Sequence, residues 1–495
     1  MAGGLHALSF SRSDAGWLQL ACVVLLAWRA GASAAPGRAA LIGGVFSTAW
    51  LVGGTWWLFI SLHRYGGMPA WLAGLAVGLL CALLSFYLAA AMAAWARWRS
   101  GRPAADALLF AAVWLLAELA RGVVFTGFPW VAAGYAHTDS PLGALAPWTG
   151  VYGIGAFAAG IAALLAAALR AWGPGRWLPA AGGLALWWAP LMLPQDFTQA
   201  TGRLEVALLQ GNVPQEEKFE PAHQPEALEW TLRTLGQTQA DLVVAPETAI
   251  PLLPAQMPEG LWEALRGAFA GGDRAALVGL PLGSFEAGYT NSAAGLSAAA
   301  AEKQPGGFYR YDKYHLVPFG EFIPPGFRWF VDLMKMPLGD FARGPLDAPS
   351  FQVRGERVAP NICYEDLFGE ELAARFLDPA KAPTIFANVS NIAWFGESVA
   401  VFQHLQISRM RTLELQRPMI RATNTGATAI IDHRGVVTDR LEPHTRGVLR
   451  GTVEGRSGLT PFAWWAARFG LAPLALLAAV VLIAAACRVA RHSRF

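Results

Sequence analysis

The chain has 495 residues, of which 54% are hydrophobic and 15% are charged, and it contains 21 tryptophans. This composition is too apolar for a water-soluble enzyme and is typical of a membrane protein. The net charge of +3 does not indicate a nucleic-acid partner, and the sequence has no Walker loop, glycine-rich dinucleotide motif or CxxC pair, so we expect no cofactor and no metal site.

Seven apolar stretches are long enough to cross a bilayer, which takes about 20 helical residues. They lie at about 16–34, 39–61, 69–96, 104–125, 144–171, 177–194 and 466–487. Most acidic and lysine residues lie between the sixth and the seventh stretch. We therefore predict a polytopic α-helical bundle of about six spans at 1–194, a globular insertion at 195–463, and a transmembrane helix with a basic tail at 464–495.

Arginines are concentrated in alternate loops of this predicted bundle. Loops rich in lysine and arginine stay in the cytoplasm. The basic loops and tail contain Arg29, Arg38, Arg97, Arg99, Arg102, Arg170, Arg176, Arg488, Arg491 and Arg494. Counting the spans alternately predicts that the N-terminus and the insertion lie on the extracytoplasmic side.

The insertion alternates β-type and helical patterns, which indicates an α/β domain. Runs rich in Val, Ile and Leu predict strands, and 421–437 predicts a strand pair that turns at 433–435; the strand runs are 204–213, 240–247, 275–283, 357–366 and 383–391. Helical patterns at 225–237 and 402–418 separate several of these runs. Polar residues, including Asn388 and Asn391, follow the strand ends, where α/β sheets bind their ligands.

Three residues of the insertion suggest a chemistry. Glu247 follows one strand between two prolines, Lys313 lies with Glu321 in a loop rich in proline and glycine, and Cys363 follows a third run. A carboxylate can take the proton of a thiol, and an ammonium can stabilise a thiolate and then an oxyanion. Glutamate, lysine and cysteine together are sufficient for acyl transfer through a thioester.

Structural interpretations of the same residues stay open. Cys363 is the only cysteine of the insertion, and a lone cysteine at a strand end is commonly a packing residue. Glu247 could cap a helix, and Lys313 could be a solvated loop residue. The remaining cysteines, all within apolar segments, are Cys22, Cys81 and Cys487.

A Cys–His dyad is a further alternative, with His315 or His404 as the base. Neither histidine has an orienting acid at a diagnostic spacing, and we expect His404 to face the sheet or the solvent on its helix. Within the bundle, Glu118 and Arg121 are separated by one helical turn. Because charges inside a membrane are costly, we expect these two residues to pair, with contact to a lipid headgroup as the alternative.

Longer stretches of the sequence resemble a known family. Glutamate in VVAPETAIP, lysine in YDKYHLVPFGEFIP and cysteine in NICYEDLF reproduce the ordered set of the nitrilase superfamily. Within that superfamily, LLQGNVPQEEKF, NVSNIAWFGES and QHLQISRMRTLELQRPMIRATNTGATAII are similar to the apolipoprotein N-acyltransferases, as are YGGMP and ELARGVVFTGFPW in the bundle. The resemblance extends from about residue 8 to 485.

This resemblance implies a fold and an activity. The insertion would be a nitrilase-like αββα sandwich whose Cys363 takes an acyl chain from a phospholipid as a thioester. Glu247 would be the general base, and Lys313 would stabilise the oxyanion with a backbone N–H beside Cys363. The acceptor would be the α-amine of the diacylglyceryl-modified N-terminal cysteine of an apolipoprotein, in the last step of bacterial lipoprotein maturation.

The family also implies supporting residues and a location. Glu321 would orient Lys313 or the amine, and Tyr364 and Glu365 would shape the pocket. We expect a multi-pass, monomeric enzyme of the bacterial inner membrane, with its catalytic domain on the periplasmic side. The family has eight spans, and LHALSFSRSD at 5–14 resembles the link between its first and second helices, so the first helix looks absent here.

Aromatic residues predict a lid over this site. The segment 318–337 is rich in apolar side chains, and we expect it to dip into the membrane interface and admit acyl chains; an ordinary buried loop and helix is the alternative. The candidates for substrate or lid contacts are Phe219, Phe319, Phe327, Trp329 and Phe330. Phe219 stands where some relatives carry tryptophan.

Two other functions remain possible from the sequence. A membrane-tethered nitrilase-type amidase would use the same three residues on a small amide. A transporter or receptor would use the insertion only to bind a ligand.

Overall fold

The computed structural model describes residues 1–12, 14–171, 173–220, 222–324, 326, 328 and 340–492. The chain divides into two compact units. The first contains Met1–Phe59, Pro69–Asp196 and Phe469–Phe495, and the second contains Ile60–Met68 and Phe197–Arg468. The short segment Ile60–Met68, which the predicted boundaries assign to the bundle, thus belongs with the globular unit.

Apolar helices form the first unit. They span Ala2–Ala7, Gly16–Gly31, Pro36–Thr55, Ala70–Trp98, Pro103–Val123, Ala146–Arg170, Trp177–Trp188 and Ala472–His492. Pro36 and Pro103 each lie in the first turn of a helix, where a missing N–H costs no hydrogen bond.

Among the described residues, four helices have the length and apolar composition of a membrane span, and a pair bent by 62°, Pro36–Thr55 with Leu58–Tyr65, makes a fifth. These five match predicted spans. The other two predicted spans, 16–34 and 177–194, contain helices of only 16 and 12 residues. The second ends early because Pro190 cannot continue a helix. The several apolar helices confirm the predicted membrane part of the fold class.

Glu118 and Arg121 are buried in this unit and pair with each other. Arg121 Nη2 lies 3.5 Å from Glu118 Oε1. The Arg121 guanidinium also donates to the carbonyls of Phe128 and Trp130, at 2.8 and 2.7 Å, and Ala133 N donates to Glu118 Oε1 at 2.7 Å. These bonds hold the loop that follows the helix, and the contact between Glu118 and Arg121 confirms the expected pairing.

The second unit contains two six-stranded sheets. The strands are β1 Thr198–Gln210, β2 Leu242–Val244, β3 Ala275–Ser284, β4 Gly288–Leu296, β5 Tyr309–Asp312, β6 Phe351–Val353, β7 Glu356–Ile362, β8 Ile385–Ser390, β9 Met419–Thr423, β10 Ala429–Ile431, β11 Val437–Arg440 and β12 Gly447–Gly458. The orders are β12-β1-β2-β3-β4-β5 and β6-β7-β8-β9-β10-β11.

Both sheets repeat one pattern of pairing. From the first strand of each order to the last, each sheet begins with an antiparallel pair, continues with two parallel pairs and ends with two antiparallel pairs. The central parallel strands are therefore β1, β2 and β3 in one sheet and β7, β8 and β9 in the other. Their carboxyl ends are the places where α/β sheets position functional side chains.

The two sheets and the helices on their outer faces form four layers. Val206 and Leu208 of β1 face inward and share one core with Ile385 and Val389 of β8. The outer face of the first sheet packs on helices Gln224–Gln237 and Leu261–Gly267, and that of the second sheet packs on Gly369–Ala373, Ala400–Leu415 and Pro461–Phe469. This arrangement confirms the predicted αββα sandwich.

The predicted strands and helices are largely present. The segment 421–437 differs, because the structure divides it among β9, β10 and β11, and the hairpin of β10 and β11 encloses the predicted turn at 433–435. Strands β4, β5, β6 and β12 were not predicted. Two of them, β4 and β12, contain small and polar residues such as TNSAAG and RGTVEGRSG, which give a weak β signal.

Candidate active site

Three strand ends deliver the three candidate residues. Glu247 follows β2, Lys313 directly follows β5, and Cys363 directly follows β7 in the opposite sheet. The charges of Glu247 and Lys313 both act on the Cys363 thiol. The structure therefore brings the predicted set into one site inside the second unit.

Glu247 is held by two donors from opposite sheets. Asn291 Nδ2 on β4 donates to Glu247 Oε1 at 2.7 Å, and the backbone N–H of Asn391, just after β8, donates to Oε2 at 2.7 Å. Gly279 on β3 allows the turn to approach, because a Cβ there would lie 2.3 Å from the Pro246 carbonyl oxygen. The carboxylate is thus fixed in position, and the residue is 7% exposed.

Lys313 is fully buried between two carboxylates. Its Nζ lies 2.9 Å from Glu321 Oε1 and 3.6 Å from Glu247 Oε1. Burial would lower the pKa of Lys313, but the negative charges of Glu321 and Glu247 outweigh it and raise that pKa above its ordinary value. Lys313 therefore stays an ammonium at neutral pH and is not a solvated loop residue.

Glu321 completes this charged cluster. Besides Lys313, it accepts from Asn291 Nδ2 at 2.6 Å and from the backbone N–H of Val317 at 2.8 Å. Asn291 therefore bridges Glu247 and Glu321, and it orients both carboxylates around the same ammonium.

Cys363 occupies a strained turn. Its φ is +51°, a value that a residue with a side chain rarely adopts and that often marks a functional position. The side chain is partly buried and packs against the core between the sheets. Burial and then the negative charge of Glu247 raise the pKa of the Cys363 thiol to about 12, although the Lys313 ammonium acts in the opposite direction. The resting site therefore holds a thiol.

Glu365 joins the cysteine turn to the lysine loop. Its Oε2 accepts from Ile362 N at 2.6 Å and from the Tyr311 hydroxyl at 2.8 Å. Its Oε1 accepts from Tyr314 N at 2.7 Å and from His315 N at 3.2 Å. Glu365 is buried, so these four bonds fix the position of the cysteine turn relative to the lysine loop.

A second lysine lies beside Glu247. Lys218 is buried, and its Nζ donates to the Glu247 carbonyl oxygen at 3.1 Å. Burial lowers the pKa of Lys218 to about 8, while the charges of Glu247 and Cys363 act in the opposite direction. This lysine adds a positive charge on the Glu247 side of the site.

Neither histidine is placed as the base of a Cys–His dyad. His315 Nδ1 lies 2.9 Å from Glu371 Oε1, and its ring stacks on Phe368 with 3.6 Å between centroids. His404 is completely buried and contacts Arg421 of β9, so of the two expected orientations it has the one that faces the sheet. Its Nε2 contacts Asp366 and the carbonyl oxygen of Cys363, and its Nδ1 contacts Arg421.

The remaining predicted residues occupy different positions. Tyr364 is buried against the rings of His315 and Phe368. Phe219 is 52% exposed, and Phe319 is partly buried with a φ of +61°. The lid candidates Phe327, Trp329 and Phe330 lie outside the described residues.

Within the described part of the chain, no group of three or more histidine, cysteine, aspartate or glutamate residues could hold a metal ion.

Sequence reasoning missed Asn291, Lys218 and the partners of His404. Asn291 lies inside an unpredicted strand, and Lys218 stands in the QEEKF stretch that carries the family resemblance. That stretch could have identified Lys218, whereas the position of Asn291 depends on the pairing of β4.

Comparisons with known proteins cover nearly the whole chain. Residues 2–164 match the apolipoprotein N-acyltransferase N-terminal domain, and residues 205–461 match the carbon-nitrogen hydrolases. A protein of Verminephrobacter eiseniae is 55% identical, over 92% of this chain and 88% of its own length. Relatives from Ralstonia nicotianae and Bordetella bronchiseptica are 46% and 42% identical, over 99% and 98% of this chain and 92% and 95% of their own lengths.

All three relatives are named apolipoprotein N-acyltransferase. Their similarity includes both the apolar helices and the α/β domain with its candidate site. The chain therefore belongs to the apolipoprotein N-acyltransferase family.

Proposed function

We propose that this enzyme moves a fatty-acyl group from a phospholipid to the α-amine of the diacylglyceryl-modified N-terminal cysteine of apolipoproteins, the final step of lipoprotein maturation. The observation that carries the proposal is the buried set of Glu247, Lys313 and Cys363 in a chain of this family. The acyl group is carried between the two substrates as a thioester on Cys363, so the kinetics are ping-pong.

The first half-reaction loads the cysteine. Glu247 takes the thiol proton as Cys363 Sγ attacks the ester carbonyl carbon of the phospholipid. The Lys313 ammonium and the backbone N–H of Tyr364 stabilise the oxyanion that forms. The C–O bond of the ester then breaks, Glu247 returns its proton to the departing alkoxide, and lysophospholipid leaves.

The second half-reaction transfers the acyl group from Cys363 to the apolipoprotein. The apolipoprotein amine attacks the thioester carbonyl, and Glu247 accepts a proton from the attacking nitrogen. The C–S bond breaks, and the thiolate regains a proton from Glu247. Overall an ester is exchanged for an amide, and the enzyme returns to its starting state.

Three other residues support these steps. Glu321 keeps Lys313 charged and oriented through its 2.9 Å bond. Glu365 fixes the cysteine turn, and Tyr364 supplies the backbone N–H and one wall of the pocket. Phe219 and the aromatic segment 318–337 are proposed to contact the acyl chain.

The apolar helices make this a membrane protein. We propose the bacterial inner membrane as its location. We also propose that 177–194 crosses the membrane although its helix has only 12 residues, because the basic loops and tail then all lie in the cytoplasm and the catalytic domain lies on the periplasmic side. We also propose that the enzyme acts as a monomer.

The thioester gives a direct test. The purified protein is incubated in detergent micelles with a dipalmitoyl phospholipid and no acceptor, and the peptide that contains Cys363 is weighed. We expect one added palmitoyl group, no adduct on the Cys363→Ala variant, and an unchanged adduct on Cys487→Ala, which removes an exposed thiol. Cleavage of small amides without any acyl adduct would instead identify an amidase.

A further inference from the structure

A buried polar network lies behind the catalytic turn and holds one backbone carbonyl. His404 Nε2 is 3.2 Å from the carbonyl oxygen of Cys363 and 2.9 Å from Asp366 Oδ1. Asn388 Nδ2 approaches the same carbonyl oxygen at 3.5 Å. His404 and Asp366 are both fully buried, so these contacts are shielded from water.

Arg421 determines which His404 nitrogen carries the proton. Arg421 Nη2 lies 3.0 Å from His404 Nδ1, and a guanidinium can only donate. His404 Nδ1 is therefore an acceptor, and the ring proton resides on Nε2, where it is shared by Asp366 and the Cys363 carbonyl. Arg421 is itself fixed by bonds to the His404 carbonyl at 2.8 Å and to Ser408 Oγ at 2.7 Å.

Asp366 reinforces this tautomer. Asp366 Oδ1 lies 2.9 Å from His404 Nε2, and Asp366 Oδ2 accepts a hydrogen bond from the Ser408 hydroxyl. A charged carboxylate facing Nε2 favours a proton at that nitrogen.

The direction of the Cys363 carbonyl determines the direction of the Tyr364 N–H. The carbonyl of Cys363 and the N–H of Tyr364 belong to one peptide unit, and in a trans peptide they point in opposite directions. Fixing the carbonyl toward His404 therefore directs the N–H away from His404. Cys363 has a φ of +51°, so its turn needs such support to persist.

We infer that His404 is a positioning residue for acyl transfer: its Nε2–H anchors the Cys363 carbonyl, and the anchored peptide presents the Tyr364 N–H to the oxyanion. This inference rests on the proposed thioester mechanism. It assigns His404 no contact with the thiol and no role as its base.

Two variants distinguish the hydrogen bond of His404 Nε2 from that of Nδ1, because each variant can replace only one of them. In His404→Gln, the amide Nε2 can reach the Cys363 carbonyl as the imidazole Nε2 does. In His404→Asn, the amide oxygen occupies the Nδ1 position and can accept from Arg421, but no donor reaches the carbonyl. Both variants keep a polar group in the buried network.

Two reactions of the full-length enzyme in detergent micelles distinguish positioning from general damage. Acylation by a dipalmitoyl phospholipid forms an oxyanion, whereas alkylation of Cys363 by iodoacetamide displaces iodide and forms none. In His404→Asn we expect acylation to fall about 10²-fold, the usual loss on removal of one oxyanion donor. We expect its alkylation rate and its KM for phospholipid to stay within about 3-fold of wild type, and His404→Gln to retain acylation within about 10-fold.

Other outcomes overturn the inference. They are an equal loss of acylation in the two variants, no loss in either, or a parallel fall of alkylation and acylation. Failure of the thioester mechanism itself would look different, because the wild-type enzyme would then be alkylated at Cys363 but would gain no palmitoyl group.

Discussion

At the residue scale, Cys363, the proposed nucleophile, has a thiol whose pKa is raised well above its ordinary value. Its thiol is disfavoured as a thiolate by burial and by Glu247, and Lys313 compensates only in part. The glutamate therefore has two opposite influences. Its charge disfavours ionisation of the Cys363 thiol in the free enzyme, whereas in the proposed mechanism its basicity is needed when the thiol attacks an ester.

Substitution of Glu247 should therefore change the alkylation rate and the acylation rate of Cys363 in opposite directions. In Glu247→Gln the pKa of Cys363 should fall, because a negative charge is lost, so its alkylation by iodoacetamide at pH 7 should become faster. Acylation by phospholipid should decrease by at least about 10²-fold, because the general base is lost. Both rates are measured on the Cys363 peptide by mass spectrometry.

The pH dependence supplies the control for this prediction. With a pKa of about 12, the wild-type thiolate fraction and hence alkylation should rise about tenfold per pH unit between pH 7 and 9. A slower alkylation of Glu247→Gln would show instead that the carboxylate ionises the thiol in the free enzyme.

At the element scale, the end of β2 depends on a close approach to β3. A Cβ at Gly279 would also lie 2.7 Å from the Glu247 Cα, so the backbone would have to shift. Gly279→Ala should therefore displace Glu247, lower the acylation rate more than about tenfold and reduce stability by about 1–3 kcal/mol. Thermal unfolding and palmitoyl transfer to Cys363 check the two effects.

A matched glycine is available as the control. Gly236 lies in the helix Gln224–Gln237, and a Cβ there meets no atom within 4 Å. Gly236→Ala should leave acylation unchanged and stabilise the helix by about 0.5–1 kcal/mol. Equal behaviour of the two variants would contradict a specific role for the approach at Gly279.

At the scale of the whole molecule, the sequence predicts some levels of structure better than others. Glu247 and Cys363 could be proposed because each follows a predicted strand and lies in a local motif of the family, and Lys313 could be proposed from its motif alone. Asn291 could not, because its role appears only when β4 pairs beside β3 and turns its amide toward two carboxylates. The tautomer of His404 likewise depends on Arg421, which is 17 residues away along the chain.

The orientation of the protein in its membrane is a further prediction at this scale. In a background with both Cys363→Ala and Cys487→Ala, which leaves only the buried Cys22 and Cys81, one cysteine is introduced at Glu286, in the exposed turn between β3 and β4, or at Arg102, in an exposed loop of the bundle. A membrane-impermeant maleimide should label position 286 in intact spheroplasts, and position 102 only after permeabilisation. Labelling in the reverse order would contradict the predicted orientation.

A thiolate that the site disfavours is also a poor leaving group, since thiols of high pKa depart slowly from a carbonyl. Water that attacks the acylated cysteine must expel such a thiolate without the orientation that a bound acceptor provides. The environment that raises the pKa of Cys363 to about 12 should therefore protect the acyl group from hydrolysis. We therefore expect the acylated enzyme to form before the acceptor binds and to persist until an apolipoprotein takes the acyl group.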